Sequence, residues 1–128
     1  PEQCQQIANQ VRRRWYKAIQ VKPDATSAEM IETIQQYQQV GASAMLLDAW
    51  HPELKGGTGH RFDWTQFPKL DIPLILAGGL TPENVEDAIH TTGAYAVDVS
   101  GGVESSKGIK DQQLIERFMQ GVQRGSAK

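Results

Sequence analysis

The sequence predicts an α/β domain built on a parallel sheet, and three observations lead to this prediction. Short apolar stretches of strand length alternate with segments whose apolar residues recur at helical spacing. Glycine pairs follow two of the predicted strands, and 39% of the 128 residues are hydrophobic, enough for one core. Strands that alternate with helices form βα units, whose strands run parallel. The nearly continuous apolar runs are typical of strands covered on both faces.

Four helices and four strands are predicted, in the order α-β-α-β-loop-β-α-β-α. The helices are expected over 1–13, 26–41, 81–93 and 111–125, and the strands over 15–21, 44–49, 72–77 and 94–100. Thr26 and Glu29 have the spacing of a capping box, which predicts the start of the second helix. Thr81 precedes Pro82, and this pair predicts an N-cap followed by the first residue of the third helix.

The ends of the helices are predicted from glycines. A glycine in the left-handed conformation commonly ends a helix, so Gly41, Gly93 and Gly125 are the expected stops. Asp111 is an N-cap residue type and predicts the start of the last helix. Four βα units fit either a small open sheet or half of a (β/α)₈ barrel, since a full barrel needs roughly 200–250 residues. Residues 1–128 are therefore predicted to be a single domain or part of one.

Composition excludes several classes of partner. The 13 Lys and Arg residues against 15 Asp and Glu residues give a formal charge of −2, which offers no basic footprint for nucleic acid or anionic lipid. No apolar stretch approaches the ~20 residues that cross a bilayer, and no secretory leader opens the chain. One cysteine forms neither an internal disulfide nor a multi-thiolate metal site. We expect a cytoplasmic location, with no membrane and no nucleic-acid partner.

Glycines at two neighbouring strand ends predict a phosphate site. Gly78 and Gly79 follow the third strand, and Ser100, Gly101 and Gly102 follow the fourth. Glycines leave backbone N–H groups uncovered, and a helix N-terminus adds partial positive charge. Phosphate sites of barrel enzymes recur after their last two strands. The alternative is that each glycine pair only makes a tight turn.

Two carboxylates at strand ends are candidates for work on a substrate. Asp48 shares a strand face with Ala44 and Leu46, and partial desolvation at the end of an apolar strand suits a general acid. The alternatives are that Asp48 caps a helix or pairs with Lys17 on the neighbouring strand. Asp98 is expected either to hydrogen-bond substrate hydroxyls or to hold the adjacent loop.

The remaining chemistry-bearing residues give weaker signals. The three histidines do not cluster and none ends a strand, so no metal site is predicted. Cys4 lies on the apolar stripe of the first helix and is expected to be a small buried hydrophobe. The segment of roughly twenty residues after Asp48 is loop-like and contains Gly56–Gly59, while Asp63 is predicted to begin a helical turn. A glycine-dense loop of that length beside a candidate acid predicts a mobile cover.

Three segments resemble the phosphoribosylanthranilate isomerase family, the (β/α)₈ enzymes of tryptophan biosynthesis. They are LLDAWHPELKGGTGHRFDW (46–64), PLILAGGLTPENV (73–85) and VDVSGGVESSKGIKD (97–111), in the family's order and spacing. The resemblance covers essentially the whole chain and implies strands five to eight, the carboxyl-terminal half of the barrel.

The resemblance also implies roles for individual residues. It makes Asp48 the general acid and Asp98 a substrate-binding carboxylate. The phosphate cradle corresponds to Gly78, Gly79, Ser100, Gly101 and Gly102, with a serine often found where Gly101 stands. The implied reaction is an Amadori rearrangement of N-(5′-phosphoribosyl)anthranilate, a phosphorylated sugar-arylamine, without metal or organic cofactor. Arg61 lies in the loop motif and is given no role.

Two functional residues of the family have no counterpart in this chain. The general base is a cysteine at the end of the first barrel strand, and an arginine on an early strand holds the anthranilate. Cys4 stands in a different context, on a helix before the fifth strand. We therefore expect a half-barrel that is inactive alone. Its amino-terminal half arrives as a partner chain or segment, or two such halves pair, or these residues are a fragment of a longer product. The alternatives are a non-catalytic phosphate-binding assembly module, or another phosphate-binding barrel enzyme such as indole-glycerol-phosphate synthase or a pentose-phosphate epimerase.

Overall fold

The computed structural model describes residues 1–49 and 62–127 and has alternating helices and strands. The helices are α1 (Glu2–Val11), α2 (Ser27–Gln39), α3 (Val85–Thr92) and α4 (Gln112–Ser126), and the strands are β1 (Tyr16–Gln20), β2 (Ala44–Asp48), β3 (Leu74–Ala77), β4 (Ala96–Asp98), β5 (Glu104–Ser106) and β6 (Ile109–Lys110). Two 3₁₀ turns cover Trp64–Gln66 and Gly101–Val103. The predicted helical turn after Asp63 is confirmed, and the Asp63 carboxylate caps it by accepting from Thr65 N.

Strands β1 to β4 form one sheet in chain order, and every pairing is parallel. The predicted α/β class with a parallel sheet is confirmed. The register sets Gln20 beside Asp48, Asp48 beside Ala77, and Ala77 beside Asp98. Side chains that are partners in a parallel register point to the same face. These four residues therefore form a row along the carboxyl edge of the sheet.

One face of the sheet is covered by helices and carries the core. On β2 and β3 this face presents fully or nearly fully buried side chains, as do the helix residues packed against it. The group comprises Met45, Leu47, Leu74 and Leu76 from the strands, Met30 and Ile34 from α2, Val85 and Ala88 from α3, and Phe118 from α4. Alternation along each strand sends the neighbouring side chains to the opposite face.

The opposite face, which we call the open face, has no covering layer among residues 1–49 and 62–127. Its residues are Tyr16, Ala18, Gln20, Ala44, Leu46, Asp48, Ile75, Ala77, Ala96 and Asp98, and all but Ala77 are at least partly exposed. Tyr16 is 57% exposed. In the described part of the chain, helices therefore cover one face of the strands and leave the other open, as a half-barrel requires. The apolar runs are typical of strands covered on both faces. Such a pattern shows which residues are hydrophobic, and it does not show whether the segment that covers them belongs to the described part of the chain.

Two predicted helix caps are confirmed. The Thr26 hydroxyl accepts a hydrogen bond from Glu29 N at 3.3 Å, and the Asp111 carboxylate accepts one from Leu114 N at 2.9 Å. Each bond satisfies a backbone donor that has no partner inside its helix. Gly93 ends α3 with a φ of 62°, the left-handed conformation expected of a glycine stop.

The start of α3 differs from the prediction. The helix begins at Val85, and residues 81–84 form a turn before it. The Asn84 side chain accepts a hydrogen bond from Thr81 N and donates one to the carbonyl of Gly79. These two bonds hold the segment as a turn. The Thr-Pro pair did not cap the helix because the Asn84 side chain bonds the backbone at Thr81 and Gly79, which holds these residues in a turn.

The end of α4 also differs, because Gly125 lies inside the helix and does not end it. A Cβ at Gly125 would lie 2.9 Å from Cβ of Ile89, and one at Gly121 would lie 2.6 Å from a methyl group of Val85. Both glycines therefore allow α4 to approach α3 closely. A glycine in a sequence signals either a stop or a close contact, and only packing distinguishes the two.

The region after β4 contains a hairpin that the sequence did not predict. Strand β4 is shorter than expected, ending at Asp98, and β5 and β6 pair antiparallel around Lys107 and Gly108. Gly108 has a φ of 83°, which suits a tight turn. Apolar and polar residues hardly alternate in this segment, so its sequence does not predict two paired strands.

Candidate functional site

A cavity of about 790 Å³ lies at the carboxyl edge of the sheet. Its wall includes every residue that the sequence singled out as a site candidate: Asp48, Gly78, Gly79, Asp98, Ser100, Gly101 and Gly102. The strands position these residues because parallel strands deliver all their carboxyl ends to one edge. Residues separated by more than fifty positions therefore share one wall.

The two glycine turns are in direct contact. A Cβ at Gly102 would lie 1.8 Å from the carbonyl oxygen of Leu80, so the second turn packs on the backbone of the first. Gly78 and Gly79 have φ values of 93° and 71°, which other residues adopt only with strain. A Cβ at Gly79 or Gly101 would meet no atom within 4 Å. The backbone of both turns is thus accessible to a ligand such as an anion.

Two side chains outside the glycine motifs, Asn84 and Lys110, hydrogen-bond to the glycine turns. Neither residue was predicted from the sequence to contact the site. The Asn84 side-chain oxygen accepts a hydrogen bond from Thr81 N at 2.8 Å, and the side-chain nitrogen donates one to the Gly79 carbonyl at 2.9 Å. The Lys110 ammonium donates to the Ser100 carbonyl at 3.0 Å and to the Ser100 hydroxyl at 3.3 Å. No pattern in the sequence links Lys110 to Ser100, because their contact depends on the hairpin.

The two candidate carboxylates lie on the open face with one strand between them. Asp48 is beside Ala77 and Ala77 is beside Asp98, so two strand spacings, about 10 Å, separate the aspartates. Asp48 is partly exposed and Asp98 is exposed. Both aspartates line the cavity, so a molecule bound there has carboxyl groups on two sides.

Lys17 is not the partner of Asp48. Its register partner is Met45, so its side chain lies on the face covered by helices, opposite to that of Asp48. The Lys17 ammonium lies 5.8 Å from the centre of the Tyr37 ring, a cation–π distance. The alternative that Asp48 caps a helix concerns residues 50–61, which are outside the described part of the chain.

The hairpin adds two charged groups to the cavity wall, Glu104 and Lys107. The Glu104 carboxylate accepts hydrogen bonds from the Lys110 ammonium at 2.7 Å and from Gly108 N at 3.1 Å. These bonds, that from Lys110 foremost, hold the pKa of Glu104 below its usual value. Glu104 therefore carries its negative charge in an ion pair near neutral pH.

Several remaining predictions concern other parts of the chain. The glycine-dense loop at 56–59, His51, His60 and Arg61 lie outside the described residues. Cys4 is only partly buried, on a helix in which no residue is buried, so its expected role as a core hydrophobe is wrong. The helix lacks a covering layer in residues 1–49 and 62–127, which a single-helix pattern does not reveal.

Two structural findings concern ions and membranes. Within the described ranges, no group of three or more His, Cys, Asp or Glu side chains has an arrangement that can hold a metal ion. None of the described helices is long and apolar enough to cross a membrane.

The fold and the site define the class: a parallel α/β protein with a cavity at the carboxyl ends of its strands, where such proteins commonly bind ligands. Comparison with known proteins gives the family. The model of the N-(5′-phosphoribosyl)anthranilate (PRA) isomerase family matches residues 2–121. The chain therefore belongs to the phosphoribosylanthranilate isomerase family.

Two relatives illustrate the similarity in sequence. The N-(5′-phosphoribosyl)anthranilate isomerase of Acinetobacter calcoaceticus is 77% identical over 128 residues, which cover 100% of this chain and 59% of the relative. That of Cellvibrio japonicus is 46% identical over 117 residues, covering 91% of this chain and 52% of the relative. The chain thus spans about half the length of the curated relatives it matches.

Solved structures show the same similarity in fold. Phosphoribosyl anthranilate isomerase from Thermotoga maritima superposes with a TM-score of 0.72 at 36% identity, covering 95% of this chain and 56% of that one. A phosphoribosyl anthranilate isomerase in complex with reduced 1-(o-carboxyphenylamino)-1-deoxyribulose 5-phosphate gives a TM-score of 0.68 at 32% identity, with coverages of 95% and 54%. The described sheet and helices are thus similar to somewhat more than half of each solved chain.

Proposed function

We propose that this chain contributes to the isomerisation of N-(5′-phosphoribosyl)anthranilate to 1-(o-carboxyphenylamino)-1-deoxyribulose 5-phosphate, a step of tryptophan biosynthesis in the cytoplasm. The observation that carries the proposal is that Asp48, Asp98 and both glycine turns share one cavity. Family membership and the similarity to a solved isomerase with a bound reduced product support the same substrate.

Asp48 is the general acid in this proposal. Its proton goes to the furanose ring oxygen, the bond between that oxygen and C1′ breaks, and the anthranilate nitrogen forms an iminium with C1′. A base then removes the proton from C2′, and the resulting enolamine tautomerises to the ketone. The rearrangement needs no external oxidant, because C1′ is reduced while C2′ is oxidised. The electron pair left by the C2′ proton forms the C1′–C2′ double bond, and the π electrons of the iminium move onto its nitrogen.

The glycine turns hold the phosphate end of the substrate. Gly78 and Gly79 on one turn, with Ser100, Gly101 and Gly102 on the other, form the cradle. Asp98 accepts a hydrogen bond from a sugar hydroxyl. Fixing the phosphate positions the ring oxygen relative to Asp48, and such orientation contributes directly to rate.

The four parallel strands form the carboxyl-terminal half of a (β/α)₈ barrel in this proposal, and residues 1–128 are one part of that domain. The open face is the inner surface of the barrel, and an amino-terminal half, supplied as a partner chain or segment, closes it. That half brings the general base and the anthranilate contacts. The position of Cys4 supports this division, because Cys4 is on α1 and not on the wall of the cavity.

Complementation tests the division of labour. The 128-residue chain is assayed alone, and then after mixing with the part of the Acinetobacter calcoaceticus isomerase that this chain does not match. Turnover is expected only in the mixture. Measurable turnover by the chain alone would show that the base has been assigned to the wrong segment. The absence of turnover in the mixture, with phosphate binding retained, would favour a non-catalytic phosphate-binding module, which is the second candidate.

The role of Asp48 is tested in the same mixture. Asp48→Asn keeps the size of the side chain but removes the proton donor, so we expect kcat to fall by about 10²- to 10⁴-fold with little change in binding of the reduced product. Asp24→Asn, at an exposed position outside the cavity, is the matched control. Full activity of Asp48→Asn would contradict the proposal.

A further inference from the structure

We infer that Lys107 is a phosphate-binding residue, delivered to the glycine cradle by the β5–β6 hairpin. The inference rests on the proposed function and names the side chain that recognises the charge of the substrate's phosphate. Lys107 lies on the wall of the same cavity as Gly79 and Gly101. A phosphate ester held in that cradle is within reach of the flexible four-carbon side chain of this lysine.

The balance of charge on the cavity wall calls for such a cation. The other charged side chains on the described wall are Asp48, Asp98 and Glu104, all acidic, and Lys107 is the only base among them. A phosphate monoester carries close to two negative charges near neutral pH and is repelled by ionised carboxylates in a partly enclosed cavity. The ion pair with Lys110 offsets the charge of Glu104, and Asp48 carries a proton as the proposed general acid, so this repulsion comes from Asp98. A lysine ammonium beside the cradle offsets this repulsion at the phosphate end.

The hairpin is fixed to the cradle, so Lys107 has a defined position. The Glu104 carboxylate, on β5, accepts hydrogen bonds from Gly108 N in the hairpin turn and from the Lys110 ammonium on β6. Lys110 in turn donates to the Ser100 carbonyl and hydroxyl, on the cradle itself. The tip of the hairpin is therefore connected to the second glycine turn through two side chains.

The same network distinguishes the two lysines of the hairpin. The Lys110 ammonium already donates to three oxygen atoms, two on Ser100 and one on Glu104. Lys107 is exposed and forms no ion pair within 1–49 and 62–127. Lys110 therefore acts as a positioning residue, and Lys107 has its donors available for the ligand.

Titration of the chain with inorganic phosphate and with ribose 5-phosphate tests the inference. Binding is followed by NMR at the amides of Gly79 and Gly101. Lys107→Gln is expected to weaken binding of both probes about tenfold, the size of one charge-assisted hydrogen bond, and to flatten the dependence of affinity on salt. Lys107→Arg restores the charge and keeps the affinity within about threefold of the wild-type value.

The control is Arg13→Gln, which removes one positive charge from the segment before β1, at the opposite edge of the sheet. If Arg13→Gln lost as much affinity as Lys107→Gln, the loss would be explained by the net charge of the protein alone, and the inference would be overturned. Wild-type affinity in Lys107→Gln also overturns it but leaves the cradle and the proposed function standing. Amide signals that do not respond to phosphate in the wild-type chain would overturn the proposed function itself, and the inference with it.

Discussion

Single residues in the glycine turns carry different constraints, although all of them are glycine. Gly102 is required by packing, because a Cβ there would collide with the carbonyl oxygen of Leu80. Gly79 is required by its left-handed backbone. Gly101 has neither constraint, since open space surrounds its Cα. The sequence motif presents the three as equivalent, and the contact between the turns separates them.

Gly102→Ala is expected to destabilise the fold by about 2–3 kcal/mol, because the backbone of one turn must move away from the other. Gly101→Ala, next to it, is the matched control and is expected to change the stability by less than about 0.5 kcal/mol. The free energy of unfolding is measured by urea denaturation. Equal stabilities of the two variants would contradict the close contact of the turns.

Among the elements, the β5–β6 hairpin depends most on a single ion pair. Glu104 is 16% exposed and Lys110 is 47% exposed, so the pair is only partly shielded from solvent. The carboxylate also holds Gly108 N at the turn. The hairpin buries few apolar side chains, and these polar bonds therefore determine its conformation.

The hairpin is expected to loosen in acid. The folded pKa of Glu104 is lowered below its usual value of about 4.5. The ionised form is thus favoured in the folded state, and its contribution to stability is complete above pH 4.5 and is lost as the pH falls through the lowered pKa. The Gly108 amide shift, followed by NMR against pH, reports the change.

Glu104→Gln should remove the acid transition of the Gly108 amide. Glu83→Gln is the matched control, because Glu83 also has a lowered pKa but pairs with Arg117 on α4, away from the hairpin. An unchanged Gly108 titration in Glu104→Gln would show that another group causes it.

At the scale of the whole molecule, the sheet has one covered and one uncovered face within residues 1–49 and 62–127. The open face exposes apolar side chains between two sheet edges, and neither edge pairs with a strand in the described part of the chain. Tyr16 on the edge strand β1 and both Ile7 and Val11 on α1 are more than half exposed. Exposed apolar faces and free strand edges favour association with another chain.

The isolated 128-residue chain is expected to associate in solution. Sedimentation velocity should show dimers or larger species, in a proportion that rises with concentration. Tyr16→Glu places a charge on the open face and should reduce association, whereas Tyr95→Glu, at a 79% exposed position before β4, should not. A monomer of 14.2 kDa at all concentrations would contradict this expectation.

Local patterns were sufficient to predict strands β1 to β4, their parallel sheet and the caps at Thr26 and Asp111. Hydrophobic period and short-range capping act over a few residues and are visible in the chain itself. That the candidate site residues lie together was also predictable, because strand ends meet at one edge in any parallel sheet. Motif resemblance then gave the family. These conclusions depend on order and spacing alone.

The tertiary structure decided what depends on distant partners. Gly125 lies inside α4 and does not end it, because the helix approaches Ile89 on α3 closely at this position. The bond from Lys110 to Ser100, the contact of Gly102 with Leu80 and the exposure of the open face likewise join or separate elements far apart in the chain. Such contacts leave no periodic trace in the sequence, since their free energy arises only once the elements have packed.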